Sequence, residues 1–496
     1  MSQPDAPLNE QAAERLKKLE QIKALGLDPW GQRFDGHQPI ATIRTLEGKH
    51  FDDAGTPGPS VRAAGRVVRQ RTGGKLHFLE LWDATGRVQL MVRLNKVSEL
   101  DWKVLNLLDL GDLIGVDGDF GITKTGEPTI QVTKLTFLAK SLEPHPKDTY
   151  GLGDIEYRLR HRYLDLIYTP DTLRRAQQRV QVLRTLRHTL DAAGYLEVET
   201  PILQSVASGA AAKPFATHHN ALDIPLVLRI ALELPLKRLL VGGLEKVYEI
   251  GRVFRNEGIS PKHNPEFTMM ELYCAYGDLF TMMDLTEQVV VACSRAVNDD
   301  ADTIPWGEKQ VTFTAPFQRA KYGDLFQRYV GCDMADRAAV QAKVKEHRLS
   351  FTTNGVAKEH DVLVNDLFGE LVEPNLTGPV FVYDYPAELC PLTKRKAGEP
   401  HLAERFELYV HGMELANAYT ELNDPITQEA TFRKQLAGQA EEDSMAKLDE
   451  DFVRALRHGM PPAGGLGIGI DRMVMLLTNT PTIRDVILFP LLRPGA

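Results

Sequence analysis

Between Val61 and about Leu142 the chain alternates apolar and polar residues in short segments: VRAAGRVV, KLHFLELWD, GRVQLMV, DLIGVDGDF and TIQVTKLTFLA. Glycine-bearing turns separate them at Gly73-Gly74, Gly86 and Gly126. Side chains alternate faces along a strand, so each segment has one face to bury, and five strands at this spacing predict a small barrel. The pattern stops abruptly. Glu143 to Leu152, with Pro144, Pro146, Gly151 and no apolar run, reads as an interdomain linker, and beyond it the sequence is mixed α+β. A chain of 496 residues exceeds what one core usually organises, so two or more domains are expected. The predicted arrangement is a helical lead-in (1–50), a barrel (51–145), a linker (146–160) and an α+β domain (161–496), whose 278–375 region is mainly helical. Residues 11–26 have helical periodicity and stop at Gly26, and a long helix from Asp171 to Ala193 stops at Gly194.

Composition excludes several classes. With 43% hydrophobic and 25% charged residues, and apolar runs no longer than stretches such as Val289 to Cys293, no membrane span is expected. Met1 to Glu20 lacks a basic segment followed by an apolar core, so the expected location is the cytoplasm. Cys274, Cys293, Cys332 and Cys390 have no zinc-like spacing and read as reduced, mostly buried residues. The net charge of −9 gives no general attraction for nucleic acid, so any polyanion must meet a local patch.

Two segments carry chemistry. Lys246 to Tyr276 reads as two strands joined by a polar loop, Arg255 to Pro265. Phe267, Met269, Glu271 and Tyr273 then share one face, and Glu249, Gly251, Val253 and Arg255 share one face of the partner. Taken singly, such a Glu and Arg suit a solvated sheet face. With the loop's Arg, Glu and His beside an aromatic, they suit a nucleoside triphosphate, Arg forking onto phosphate and Phe stacking on the base. The second segment, GGLGIGIDRMVMLLTN (464–479), reads as an apolar strand leaving bare backbone at Gly467 and Gly469, followed by a helix opening at Asp471-Arg472. Close strand-to-helix packing is the alternative reading of these glycines. They do not fit GxGxxG, and no GxxxxGK[ST] occurs.

In this order, Gly194-Tyr195-Leu196-Glu197-Val198-Glu199-Thr200-Pro201, then Phe254-Arg255-Asn256-Glu257 with His263 and Phe267, then Gly467-Ile468-Gly469-Ile470-Asp471-Arg472 resemble motifs 1, 2 and 3 of class II aminoacyl-tRNA synthetases. With a barrel in front they resemble subclass IIb, whose members charge lysine, aspartate or asparagine. The strings RHRYLDL (160–166), GAAAKPFATHHNALD (209–223), VFRNEGISPKHNPEFTMMELY (253–273), NAYTELNDP (417–425) and GLGIGIDRMVMLLTN (465–479) are similar to the lysine-charging, bacterial-type family. The resemblance implies an OB-fold anticodon-binding barrel followed by a catalytic domain with an antiparallel sheet flanked by helices. It also implies ATP-dependent activation of L-lysine to lysyl-adenylate and pyrophosphate, then transfer of lysine to the 3′ end of tRNA(Lys).

Residue roles follow from the same resemblance. Arg255, His263 and Arg472 are the expected catalytic residues, and Glu257, Asn264 and Phe267 join them around ATP. Arg255 bridges substrate carboxylate and α-phosphate, Arg472 covers the adenine opposite Phe267, and His263 meets the outgoing phosphates. Glu233 takes the substrate α-amino group and Gly209 lines the pocket through its backbone. A partly desolvated ammonium needs opposite charge and acceptors, which Glu271 and Glu421 supply, with Tyr273, Asn417 and Tyr419 shaping the slot. An aspartate pocket would need Arg or Lys there. For any one of these acids alone, a surface salt bridge is an equal reading.

Glu407 and Glu414 flank a two-residue turn at His411-Gly412 and are expected diagonally on one face, where they can hold Mg²⁺ ions bridging ATP phosphates. Strict alternation would turn Asn417, Tyr419 and Glu421 away, so a bulge or bend is predicted near Leu415 to Asn417. In the barrel, Arg62, Arg66, Arg69, Arg71 and Lys75 fall in a stretch without one acidic residue. Basic residues with an aromatic suit a single-stranded nucleic acid, and a solvated strand face is the alternative. By resemblance Phe78 stacks on the middle anticodon base and Gln89 reads its edge, with Arg69 and Glu127 as further contacts. The segment around motif 1 implies a homodimer. The sequence departs from the family pattern at Leu232 and Pro235 beside Glu233, at Ser208, and at Cys390. The rivals are an aspartate- or asparagine-charging relative, a paralogue attaching lysine to protein, and a non-catalytic RNA-binding protein. The first is opposed by Glu271 and Glu421, the second by the barrel, the third by the intact set Arg255, Glu257, Phe267 and Arg472.

Overall fold

The computed structural model describes residues 10–51, 58–144, 152–207, 209–210, 212–353, 355–437 and 449–493. Linker residues 145–151 and the departure at Ser208 lie outside the described residues. The chain divides into two compact units, Met1–Gly153 and Asp154–Ala496.

The first unit is an OB-fold barrel of five strands: Ser60–Gly73, Leu76–Asp83, Gly86–Arg93, Leu113–Ile122 and Pro128–Ala139. The first three form a meander, the third pairs in parallel with the fifth, and the fifth pairs with the fourth, which returns to the first and closes the ring. The interior is filled by the alternate apolar residues that the period-two pattern supplies, among them Val67, Leu79, Leu81, Leu90, Val116 and Ile130. The Glu10–Ala24 helix ends just before Gly26, which takes the left-handed conformation at φ +77. Its charges are spent inside the unit: buried Arg15 donates to the carbonyls of Leu110 and Ser141, and Lys18 pairs with Asp109 at 2.7 Å.

The second unit is built on a nine-stranded sheet. Along its main path the order is Gln318–Lys321, Val380–Pro386, Glu399–Val410, Met413–Thr420, Ala463–Gly469, Glu266–Ala275, Lys246–Phe254 and Leu196–Glu197, antiparallel except for the outermost pair at each end. Helices Pro170–Ala192, Leu279–Val297 and Ile470–Leu477 cover one face, packing Val182, Leu186, Met282 and Met473 against Met270, Leu272, Leu408 and Ile468. Each such side chain contributes roughly 1.5–3 kcal/mol by leaving water. The odd-numbered residues of Glu266–Ala275 are thereby sent to the opposite face.

The mainly helical 278–375 region carries short strands as well, and the linker is shorter than composition suggested. The 278–375 region holds helices Leu279–Val297, Tyr322–Val330, Arg337–Glu346 and His360–Leu371. It also holds the ribbons Thr303–Trp306 with Lys309–Thr312 and Thr352–Thr353 with Val356–Ala357, besides the edge strand Gln318–Lys321. These strands are two to four residues long, too short to display a period. Helix Ile155–Arg160, which composition placed in the linker, is capped by Asp154 and opens the second unit.

Candidate active site

The open face of the sheet is a trough whose floor is the glycine strand. Gly467 lies between Glu271 and Asn417, and Gly465 between Tyr273 and Tyr419, so side chains rise on both sides of bare backbone. The floor is tight at Gly465, where a Cβ would stand 1.9 Å from Glu421 Oε1 and 2.6 Å from the Tyr273 ring. At Gly467 a Cβ would meet nothing closer than 3.5 Å, so that glycine leaves space rather than avoiding a clash. Gly465 was missed because its Cα–Cα neighbours come from two strands far apart in sequence.

The hairpin Glu399–Val410 and Met413–Thr420 turns at His411 and Gly412 with φ of 47 and 66, the positive pair a type I′ turn requires. Val410 pairs with Met413 and Tyr409 with Glu414, but Leu408 pairs with Ala416, leaving Leu415 as an extra residue. This is the bulge expected from the sequence. Glu414 and Asn417 therefore share the trough face, and Asn417 Nδ2 donates to Glu414 Oε1 at 3.3 Å.

Two hollows open on the trough. The first is lined by Arg255, Glu257, His263, Asn264, Phe267 and Arg472, together with Glu414. The Arg255 guanidinium lies 5.3 Å from the Phe267 ring centroid, within cation–π range. Arg472 donates to the Glu414 carbonyl at 3.0 Å and to its carboxylate at 3.1 Å, and points a second nitrogen at His263 Nε2, 3.3 Å away. A guanidinium only donates, so Nε2 accepts and Nδ1 faces the Ser260 hydroxyl at 2.8 Å as the protonated nitrogen. Burial and the Arg472 charge lower the His263 pKa, keeping the ring neutral. Asp471 was missed by sequence reasoning. Its buried carboxylate accepts from Arg179 at 2.6 Å and from the Thr268 amide at 2.7 Å, pinning the helix that carries Arg472.

The second hollow is lined by Gly209, Glu233, Glu271, Tyr273, Asn417 and Tyr419. Arg255, Met269, Asn417 and Gly467 belong to both walls, so the two hollows are contiguous. Glu271 accepts from the Leu232 amide at 3.1 Å and from Tyr273 at 3.2 Å, and Glu233 accepts from Tyr419 at 3.0 Å. The Leu232 N–H is thus a structural donor at a position where the family pattern has proline, which has none. Burial, then the Glu233 charge, raises Glu271 to about 7. Glu421 lies over Gly465 on the trough side, next to this hollow, but its side chain is fully buried rather than exposed in the wall; it is ion-paired with Lys237, and its Oε1 has no hydrogen-bond partner. Lys237, one helical turn after Glu233 and 2.5 Å from its carboxylate, was not singled out from the sequence.

Glu407 also lies outside both walls. It accepts from Tyr385 at 3.0 Å and Tyr409 at 2.5 Å and pairs with Arg405. Glu373, a further unforeseen residue, accepts from Tyr409 at 3.1 Å, and burial, then Glu407 and Glu414, raise its pKa. Among the described residues no three His, Cys, Asp or Glu side chains form a ready metal cage.

In the barrel, register places Arg71 opposite Phe78 and Arg69 opposite Glu80 on one side, and Met91 opposite Phe78 and Gln89 opposite Glu80 on the other. Phe78 is half-buried, Gln89 accepts from Thr129 at 2.9 Å, and Glu127 sits exposed at the neighbouring turn. The basic run does not act as one patch. Arg62 pairs with Asp117 at 2.9 Å and stacks on Phe34, and Arg66 donates to the Gly111 carbonyl, because their partners arrive on the fourth strand and the loop before it.

The family described as tRNA synthetases class II (D, K and N) matches residues 154–493, and the OB-fold nucleic acid binding domain family matches 61–138. Fold and site therefore define a class II aminoacyl-tRNA synthetase with an OB-fold anticodon-binding domain. Relatives named lysine–tRNA ligase include those of Moorella thermoacetica, 46% identical with 98% of each chain covered, and Bacillus subtilis, 45% identical with 98% of each covered. That of Dehalococcoides mccartyi is 44% identical over 99% of this chain and 98% of its own. The chain belongs to the bacterial lysine–tRNA ligase family.

Proposed function

We propose that the contiguous hollows bind ATP and lysine, and that the enzyme, an ATP-dependent aminoacyl-tRNA ligase, activates lysine there and charges tRNA(Lys). The observation carrying this reading is Arg255 in the wall of both hollows, beside a negatively lined pocket. Its guanidinium meets the lysine carboxylate and the α-phosphate. The carboxylate attacks phosphorus in line, and pyrophosphate leaves from the opposite side. In the second step the 3′-terminal hydroxyl of tRNA attacks the lysyl carbonyl and AMP leaves. No protein nucleophile takes part; positioning and charge neutralisation supply the acceleration. Phe267 and Arg472 sandwich the adenine, Glu257 and Asn264 border it, and neutral His263 donates toward the departing phosphates after releasing Ser260.

The lysine end is read by charge. Glu233 receives the α-ammonium, Asn417 and the Gly209 backbone border the chain, and the ε-ammonium meets Glu271, Tyr273 and the unpartnered Oε1 of Glu421, with Tyr419 holding Glu233. Magnesium is read at Glu414, which lines the first hollow, with Glu407 on the neighbouring strand, since Mg²⁺ takes one or two carboxylates plus phosphate and water; Glu407 would exchange its Arg405 and tyrosine partners to reach it. Glu414 and Glu407 would hold it, and it would neutralise phosphate charge when bound.

Because burial and the Glu233 charge raise Glu271 to about 7, its carboxylate form, the one that accepts an ammonium, gains population as pH rises through neutrality. The KM for lysine is expected to fall several-fold between pH 6 and 8 while the KM for ATP stays flat. Glu271→Gln should raise the lysine KM at least about 100-fold and flatten this profile. Wild-type lysine affinity at pH 8 in the Gln variant would remove Glu271 from the pocket.

In the barrel, Phe78 offers its ring to an unstacked base, Gln89 to its edge, and Arg69 and Glu127 flank them. Phe78→Ala should raise the KM for tRNA about 10-fold or more, since stacking is worth ~1–3 kcal/mol per base, and leave pyrophosphate exchange unchanged. Equal tRNA kinetics in variant and wild type would contradict this role. A homodimer is supported by Leu196, Ile202, Leu203, Leu222 and Ile224, exposed along the motif 1 strand and the small sheet after it. Sedimentation at micromolar concentration should return twice 55.4 kDa, and a monomer would contradict it. No described helix is long and apolar enough to cross a membrane; action on tRNA supports a cytoplasmic location.

A further inference from the structure

Lys237 is a fully buried ammonium that the reaction does not use. It is 2.5 Å from Glu233 Oε1, in contact with Glu421 Oε2, and flanked by the rings of Tyr273 at 5.9 Å and Tyr419 at 5.8 Å. The two carboxylates outweigh the cost of burial and raise its pKa, so it stays charged. Each carboxylate gives it one oxygen. Glu233 keeps its other oxygen, shared with Tyr419, in the wall of the lysine hollow, and Glu421 keeps Oε1 unpartnered over Gly465, on the trough side of the floor.

We propose that Lys237 is a positioning and specificity-determining residue for lysine recognition, a clamp that ties the acceptor of the substrate α-ammonium to an acceptor of its ε-ammonium. This rests on the lysine-pocket reading above. Two consequences follow from the one contact. The clamp fixes the separation of the two acceptors, hence the length of diamino acid that spans them, so ornithine, one methylene shorter, cannot satisfy both. It also sets the charge: Glu233, Glu271 and Glu421 with Lys237 total −2 when ionised, which the two ammonium groups of lysine neutralise while Arg255 meets the carboxylate. A neutral amino acid would leave a buried negative charge uncompensated.

The test is pyrophosphate exchange with lysine and ornithine in Lys237→Met, Glu421→Gln and the double variant, with Glu271→Gln as a separate control. Lys237→Met should raise the lysine KM at least about 100-fold, lower the lysine-to-ornithine preference at least about 10-fold, and leave the ATP KM within about 3-fold. The double variant restores the net charge of −2 without the clamp. It should recover folding and much of the lysine KM yet retain the lowered preference, so the two substitutions are non-additive. It is the informative variant if Lys237→Met alone does not fold. An unchanged preference in the double variant, or parallel loss of ATP and lysine affinity, would overturn the clamp. If Glu271→Gln leaves lysine activation intact, the pocket reading itself fails; if it abolishes activation while the preference holds in the Lys237 variants, only the clamp fails.

Discussion

Replacement of Arg255 by Ala is expected to cut lysine-dependent pyrophosphate exchange by at least about 10³-fold, equivalent to about 4 kcal/mol of transition-state stabilisation. The size follows from its position: one guanidinium is shared by both hollows, so its loss leaves two anions approaching each other with their common counter-charge removed. Lysine should not restore the rate even at saturation, because the missing interaction strengthens as the reacting oxygens converge. Fold should be retained, since Arg255 makes one long side-chain hydrogen bond, 3.4 Å to the Ile230 carbonyl, besides its contact with Phe267. Exchange within about 10-fold of wild type would contradict the assignment.

The second large effect is expected from a single methyl group. Gly465→Ala places carbon 1.9 Å from Glu421 Oε1 and 2.6 Å from Tyr273, so the carboxylate and the ring must both move, and both belong to the lysine end of the site. Overpacking of this kind costs ~1–3 kcal/mol in stability. A loss of at least about 100-fold in kcat/KM for lysine should accompany a lowered Tm. Gly467→Ala, two residues on, finds only ordinary contacts and should leave Tm within a degree or two. The paired measurement separates a strained floor from an occupied one; equal lysine kinetics in Gly465→Ala and wild type would show that the floor yields.

What the sequence displayed and what it concealed divide along physical lines. Period-two alternation and glycine turns make the barrel legible, and the same alternation alone puts the odd-numbered residues from Phe267 to Tyr273 on one face. The bulge at Leu415 was legible by a different route, because chemistry placed Glu414 and Asn417 on one face where alternation forbade it. Lys237 was hidden because, beside Arg238 in a helix, a lysine looks like solvated surface; only the Glu233 spacing of four residues hinted at a partner. Arg62 read as part of a nucleic-acid patch because its neutralising Asp117 comes 55 residues later. Gly465, Asp471 and the pairing of Glu421 with Lys237 depend on which elements lie side by side, information that no single stretch of chain contains.

The extra residue at Leu415 makes the hairpin a phase shifter. The half next to the turn and the half toward Glu421 each keep their own alternation, offset by one, so each half can change side chains without disturbing the other's facing. Length, by contrast, is not free to vary. Deleting one residue anywhere between Glu414 and Asn417 would rotate one set of carboxylates out of the trough while conserving every side chain of the other. In this strand, an indel is a more drastic edit than any substitution.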